Sequence, residues 1–409
     1  MLVALPFMLA GVTMATVTAI GIGVRLSHDY PANKWESGLM VDAYRVLHGL
    51  ALYTLPDGGH SPGMYGPLQS YWLALAGCVQ GPTLLTGRLV SLLSASALVV
   101  LVCSMGAKSS IWLRLFWAAV LVGYQFSTRL FAVDPRPDSM AWFLGFLFLA
   151  LWAPVQWVLP ERPLCPRRMA RLGLALVLLL AAVFTKQTAA LAAAIPLVAG
   201  VLASIPLLAL RGESRRAGLR VLLLAAVPLL VIAAALTVLS LVSPLVYQAM
   251  VTVPSSYGFK ASLIVPRAAR LFAMISPGIA AALLAFRDGR ALVSHPFQWS
   301  LVATAVFTVP CIAASMKLGG DLNSLVPVMI ASVATGVCAG TSVLGPLRSG
   351  RAPLGARLCL SFLVSSLVLC AVVEDFAMFN WRTGVHMAFG DATRPVSYTH
   401  LTLPTNREV

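Results

Sequence analysis

ARLGLALVLLLAAVFTKQTAALAAAIPLVAGVLASIPLLAL, residues 170–210, decides the fold class. Beyond Arg171 near its start, its one charge is Lys186, with Gln187 beside it. Each side of that break carries an apolar run near the length that crosses the ~30 Å hydrocarbon core of a bilayer. Leu, Ala and Val follow one another without the alternation of a strand, so both halves read as helices. Lipid offers the backbone no hydrogen-bond partner, which leaves helices or closed barrels as the spanning structures. A cationic stretch follows at once, with Arg211, Arg215, Arg216 and Arg220 around a single acid, Glu213.

The rest of the chain repeats this pattern. It is 59% hydrophobic and only 11% charged, with mean hydropathy +0.87, too little charge for a soluble protein of 409 residues. Hydropathy and length place about eleven spans, near 2–24, 84–106, 112–127, 139–158, 170–185, 188–210, 220–243, 268–286, 296–315, 322–343 and 357–376. The first has no basic leader and no small-residue cleavage site before Arg25, so it reads as a retained helix and not a signal peptide. The expected fold is all-α: a polytopic bundle, one membrane domain over residues 1–395, with a long first external loop at 25–83.

Charge orients it. With the N-terminus in the cytoplasm, Lys108, Arg114 and the arginine-rich connections at 161–171, 211–220, 287–290 and 348–357 share one side. Those connections hold three acids, Glu161, Glu213 and Asp288. Asp29, Glu36, Asp42, Asp57, Asp134, Asp138, Asp321, Glu374 and Asp375 fall on the other. That is the positive-inside arrangement, and it accounts for most of the +15 net charge. No interleaved aromatic and basic surface argues for nucleic acid.

Several chemistries find no support. The seven cysteines include no C-x-x-C pair, and five lie in expected spans. His28, His48 and His60 share the first loop without metal-ligand spacing, and no nucleotide-binding glycine motif occurs.

The first loop is where chemistry is expected. From Leu39 its pattern turns helical: Leu39, Met40, Ala43, Val46, Leu47 and Leu50 form an apolar stripe, with Asp42, Arg45 and His48 opposite. This is the pattern of a helix lying in the membrane interface. Glu36, just before it, reads either as a helix N-terminal charge or as a base at the mouth of a membrane cavity. Asp42 and Arg45 are spaced for a local ion pair. A second apolar and aromatic run opens at Tyr65-Gly66-Pro67 and carries Tyr71 and Trp72.

Other polar groups fall at the external ends of later spans. Arg129, Asp134, Arg136 and Asp138 crowd a short turn stiffened by Pro135 and Pro137, where Asp138 or Ser139 is also placed to cap the next helix. Lys186 and Gln187 either snorkel or face a cavity. Lys317, Gly319, Gly320, Asp321 and Asn323 precede a further span, and Lys260 lies in an external loop with Tyr257. Cations sharing a side with a carboxylate fit an anionic lipid headgroup and a hydroxyl nucleophile needing a base.

Taken in order, KWESG with Glu36, HGLALY at 48–53, YGPLQSYW at 65–72, GRLVS at 87–91, the Arg/Asp turn, TKQT and KLGGDLN resemble the GT-C superfamily of integral-membrane glycosyltransferases. The nearest likeness is to bacterial enzymes similar to protein O-mannosyltransferases and the lipid A aminoarabinose transferase. The resemblance implies a sugar donor on polyprenyl phosphate and an acceptor hydroxyl on a lipid, glycan or protein. It implies a bacterial inner membrane with the site facing the periplasm. Glu36 would be the general base, or a metal ligand as in those relatives that use one. Lys186 and Lys317 would stabilise the leaving phosphate, with Gln187, Asn323, Tyr65, Arg136, Asp134 and Asp138 around the substrate. The chain departs from the family in carrying Trp35 where many relatives have a second acid, and Gly66-Pro67 where Pro-Pro is usual.

Residues 396–409, abruptly polar, read as a non-native tail. The principal rival reading is a transporter or flippase of lipid-linked saccharide, which tends to show two similar halves; none is evident here. A polysaccharide polymerase or ligase is a third reading, with its large loop usually late in the chain.

Overall fold

In the computed structural model, the described residues are 16, 18–27, 30–31, 34–54, 63–106, 111–127, 132–158, 165–288, 295–317 and 322–348. Among them the chain is helical, with one isolated antiparallel bridge between Phe259 and Lys317. A short apolar helix, α1 (Thr18–Ser27), is followed by α2 (Lys34–Leu47), α3 (Pro67–Gln80), α4 (Leu84–Met105) and α5 (Ile111–Ser127). Then come α6 (Asp138–Val158), α7 (Pro166–Thr185), a 3-10 segment (Gln187–Ala193) running into α8 (Ala194–Leu208), and α9 (Glu213–Val242). Two single-turn helices, α10 (Pro244–Tyr247) and α11 (Val253–Ser256), lead to α12 (Ile264–Asp288), α13 (His295–Met316) and α14 (Val326–Arg348).

Among the described residues, seven helices are long and apolar enough to cross a membrane: α4, α6, α7, α8 with its 3-10 lead, α9, α13, and α14 with the 3-10 turn before it. Each answers to an expected span. The span expected near 268–286 is bent, with Ala261–Phe272 and Met274–Leu283 meeting at 46°, and makes eight if the pair counts as one. Among the described residues, the apolar stretches of α1 (Thr18–Ser27) and α5 (Leu113–Gly123) are shorter than a full crossing. The span expected at 357–376 and the 396–409 tail lie outside the described residues, as do Asp29, Asp57, Asp321, Glu374 and Asp375.

The bundle is built around α14. Of the 18-residue window Leu322–Ala339, 94% is buried, whereas α9, on the periphery, buries 22% of its own. α12 and α13 flank α14, and α4 and α5 also touch it. Close approach by α12 requires Gly278, where a Cβ would sit 2.2 Å from the Ser332 carbonyl oxygen. Phe307 of α13 packs edge-on against Trp142 of α6, at 5.5 Å between centroids. Pro154 inside α6 has no N–H for the Ala150 carbonyl. Arg171 of α7 supplies the missing donor, reaching the Ala150 and Leu151 oxygens at 3.1 and 2.9 Å.

At one end of this bundle α2 packs on α3. Leu39, Met40 and Ala43 are buried together with Leu73 and Ala74. The apolar stripe of α2 is thus spent on protein contacts, while Val41 and Tyr44 on its other side are exposed. The difference from a freely interfacial helix arises because α3 returns over the same stripe.

Candidate functional site

Glu36 lies in the first turn of α2, where the helix dipole favours an acid. Its carboxylate is fully buried and meets Arg88, also fully buried, at 2.8 Å. Arg88 stands in the second turn of α4, whose start is capped by Thr83. The same guanidinium donates to the backbone oxygens of Arg25 at 2.6 Å and Tyr30 at 2.8 Å. One side chain thereby ties α1, the chain leading into α2, and Glu36 to the start of α4. Arg88 escaped attention in the sequence because its partners lie 52 to 63 residues away. The available signal was an arginine one turn inside an apolar helix, a residue costly to bury without partners.

Asp134, in the double-proline turn before α6, comes against Glu36. Burial pushes its carboxyl up to about 7; Arg25, at 3.5 Å, opposes the shift, and the charge of Glu36 and a hydrogen bond with it add to it. A buried carboxyl beside another acid keeps its proton to a higher pH than it would in water, and Asp134 is so placed. Two residues along, Arg136 donates to the Tyr65 hydroxyl at 3.2 Å and lies 3.7 Å from Asp138. Asp138 opens α6, and its carboxylate takes Lys186 at 2.5 Å and Asn323 at 2.9 Å. Lys186 is available because α7 stops there: the residue is extended, and the chain resumes as a 3-10 helix.

Tyr65 is positioned from several directions. Its carbonyl accepts from the Tyr53 hydroxyl at 2.7 Å, and Gln187 donates to the Met64 carbonyl at 2.9 Å. Trp72 of α3 donates to the Thr185 hydroxyl at 3.2 Å, and Gln69 to the Pro135 carbonyl at 2.8 Å. Gly66 lets the segment touch α7, since a Cβ there would lie 1.9 Å from the Phe184 oxygen. That contact accounts for Gly-Pro at this place. Asp42 turns inward, 4% exposed, and accepts the Gly63 N–H. Burial pushes its carboxyl up to about 7, against the pull of that hydrogen bond and of Arg45. Arg45 itself donates to the Ala51 carbonyl at 2.9 Å.

Of the residues singled out in the sequence, Glu36, Tyr65, Asp134, Arg136, Asp138, Lys186 and Asn323 form one connected cluster, with Gln187 at its edge. Lys317 is engaged elsewhere: its ammonium donates to the Pro254 carbonyl at 3.1 Å and lies over the Phe259 ring. The other loop positions of that stretch, Gly319, Gly320 and Asp321, are outside the described residues. Arg25, Arg88, Arg136 and Lys186 stand against Glu36, Asp134 and Asp138, four cations to three carboxyls. The balance is one positive charge, two when Asp134 holds its proton. Among the described residues no group of three or more His, Cys, Asp or Glu is placed to hold a metal ion.

Chemically, the cluster offers the Asp134 carboxyl, pushed up to about 7, next to the Glu36 carboxylate and beside cations that favour an anion. No protein-family model matches the chain, and no curated protein matches it.

Proposed function

We propose that this protein is an integral-membrane glycosyltransferase of GT-C type, moving a sugar from a polyprenyl-phosphate donor to a hydroxyl on a lipid, glycan or protein acceptor. The observation that carries the reading is the convergence of Glu36 and Asp134 with Arg136, Asp138 and Lys186 in one net-positive cluster. The acceptor oxygen attacks the anomeric carbon while its proton passes to the carboxyl pair. The bond from that carbon to the phosphate oxygen breaks with inversion, and the phosphate leaves with the electron pair. Arg136 and Lys186 offset its charge, a stabilisation that is strong where water is excluded.

The membrane setting agrees with this chemistry. From Arg167 to Lys186 along α7 the rise is about 29 Å at 1.5 Å per residue, close to the ~30 Å of a hydrocarbon core. The arginine-bearing ends would then lie at one interface and the cluster at the other. With about eleven spans and the arginines cytoplasmic, the cluster would face the periplasm of a bacterial inner membrane, where a donor in the outer leaflet presents its phosphate.

The test is transfer of radiolabelled sugar from polyprenyl-phosphate donors by wild type, Glu36→Gln and Asp134→Asn at matched protein levels. Wild-type transfer that falls by 10²-fold or more in both variants is expected. Transfer unchanged in both sinks the base assignment. A second reading, a flippase of lipid-linked saccharide, draws on the helix break at Lys186 and the 46° bend near Phe272, since transporters place broken helices at their binding sites. Labelled lipid crossing proteoliposomes without turnover would favour it.

A further inference from the structure

The ends of α7 and α9 remote from the cluster carry the densest charge in the described residues that the transfer chemistry does not use. α7 and α9 are separated by α8, which packs antiparallel on α9, so their N-termini emerge at the same end. Arg167 lies in the first turn of α7, with Arg211, Arg215, Arg216 and Arg220 around the start of α9; all five are exposed. Glu213, the single acid within α7, α8 and α9, pairs with Arg216 at 3.0 Å.

Depth decides what those arginines meet. The apolar part of α9, residues 221–242, rises about 33 Å, one hydrocarbon core. Arg220 therefore falls at the edge of the core, and Arg215 and Arg216 about 8 Å beyond it. The headgroup layer occupies roughly 5–8 Å on each side, so these guanidiniums lie at the level of lipid phosphates. A guanidinium binds phosphate through two parallel hydrogen bonds, and the positive ends of two helix dipoles point the same way. Arg171, one turn further into α7, is taken by the α6 carbonyls, so this end is anchored to the bundle.

We propose that the paired N-termini of α7 and α9 are a docking surface for anionic phospholipid headgroups in the leaflet opposite the candidate site. The inference rests on these helices crossing a bilayer and is independent of the transferase reading.

The experiment uses the full chain in nanodiscs of phosphatidylcholine, with or without phosphatidylglycerol, and counts retained lipids by native mass spectrometry. The triple variant Arg215→Gln, Arg216→Gln, Arg220→Gln is compared with the corresponding triple lysine variant and with Lys260→Gln, an exposed cation elsewhere. Each juxtamembrane arginine contributes a several-fold preference for an anionic surface. Phosphatidylglycerol should be enriched on wild type and Lys260→Gln, at least tenfold less on the glutamine triple, and largely restored by lysine. Equal retention of the two lipids by wild type overturns the proposal. So does undiminished enrichment on a folded glutamine triple, or displacement by inorganic phosphate at equal concentration, which would mark a general anion site. Should the triple fail to fold, Arg215→Gln and Arg220→Gln are read singly against the same outcomes.

Discussion

Replacing Arg88 with Leu tests the central claim about how the site is held. The substitution keeps an apolar stem but strips the partner from a carboxylate with no exposed surface. Breaking a buried pair by removing one member costs about 3–5 kcal/mol, because the remaining charge stays buried. Two backbone oxygens also lose their donor. Tyr30 is 80% exposed, so water can replace the bond to its carbonyl, and the loss there is small. The expected destabilisation is therefore about 4 kcal/mol. Glu36→Gln alone should cost less, since it removes the charge and keeps the volume. Placed in the Arg88→Leu background, Glu36→Gln should restore about 2–3 kcal/mol, the part of the loss that comes from the stranded charge. The assay is equilibrium unfolding in mixed micelles, followed by helicity, for wild type, both single variants and the double. A cost below about 1 kcal/mol for Arg88→Leu, or losses that simply add, would refute the account of Arg88 as the residue that holds Glu36.

Burial pushes the Asp134 carboxyl up to about 7; in the proposed reaction its charged form accepts the proton, so transfer should rise as pH passes upward through about 7, and Asp134→Asn should flatten that profile in a pH-rate measurement. The Asp42 carboxyl is likewise pushed up to about 7, from 3.8, by burial. The folded chain then holds a proton that the unfolded chain has released, so this group makes stability fall as pH rises from about 4 to 7. Asp42→Asn should reduce that slope, which thermal unfolding at pH 5 and pH 8 will show. Arg171→Leu removes the donor from two α6 carbonyls and should lower stability by about 1–3 kcal/mol. Gly66→Ala places a Cβ 1.9 Å from the Phe184 oxygen; it should shift the segment bearing Tyr65 and weaken transfer more than Gly63→Ala does.

Hydropathy is a property of a run of neighbours, so the apolar helices were readable from local sequence to within a few residues. The same locality explains what was not. The stripe Leu39, Met40 and Ala43 identifies an amphipathic helix but cannot say whether lipid or α3 covers it; here α3 does. Asp42 and Arg45 have ion-pair spacing, yet Asp42 also takes a backbone N–H from Gly63, well beyond its own helix in the sequence. Glu36, Asp134, Asp138, Lys186 and Asn323 were legible one by one as polar residues at span ends. Their pairing was not, because it joins residues up to 185 positions apart. Lys317 shows the limit of that reading: its position at a span end resembled that of Lys186, but its ammonium is held by the Pro254 carbonyl.

The turn from Asp134 to Asp138 explains why two charge clusters behave as one site. Pro135 and Pro137 fix the backbone on either side of Arg136, and the Ala141 N–H closes onto the Pro137 carbonyl at the start of α6. Asp134, Arg136 and Asp138 are thereby set at alternate positions of a stiff segment. The first meets Glu36, the second Tyr65, and the third Lys186 and Asn323. A proton leaving Asp134 changes the charge two residues from Arg136, which also faces Asp138. An anion drawing Arg136 away from Asp138 removes positive charge from beside Asp134 and so favours its protonated form. In the proposed reaction, anion binding and proton uptake by Asp134 would thus be coupled through a segment with little freedom to relax. That coupling is what a transfer reaction requires if the acceptor is to lose its proton only when the leaving phosphate is in place.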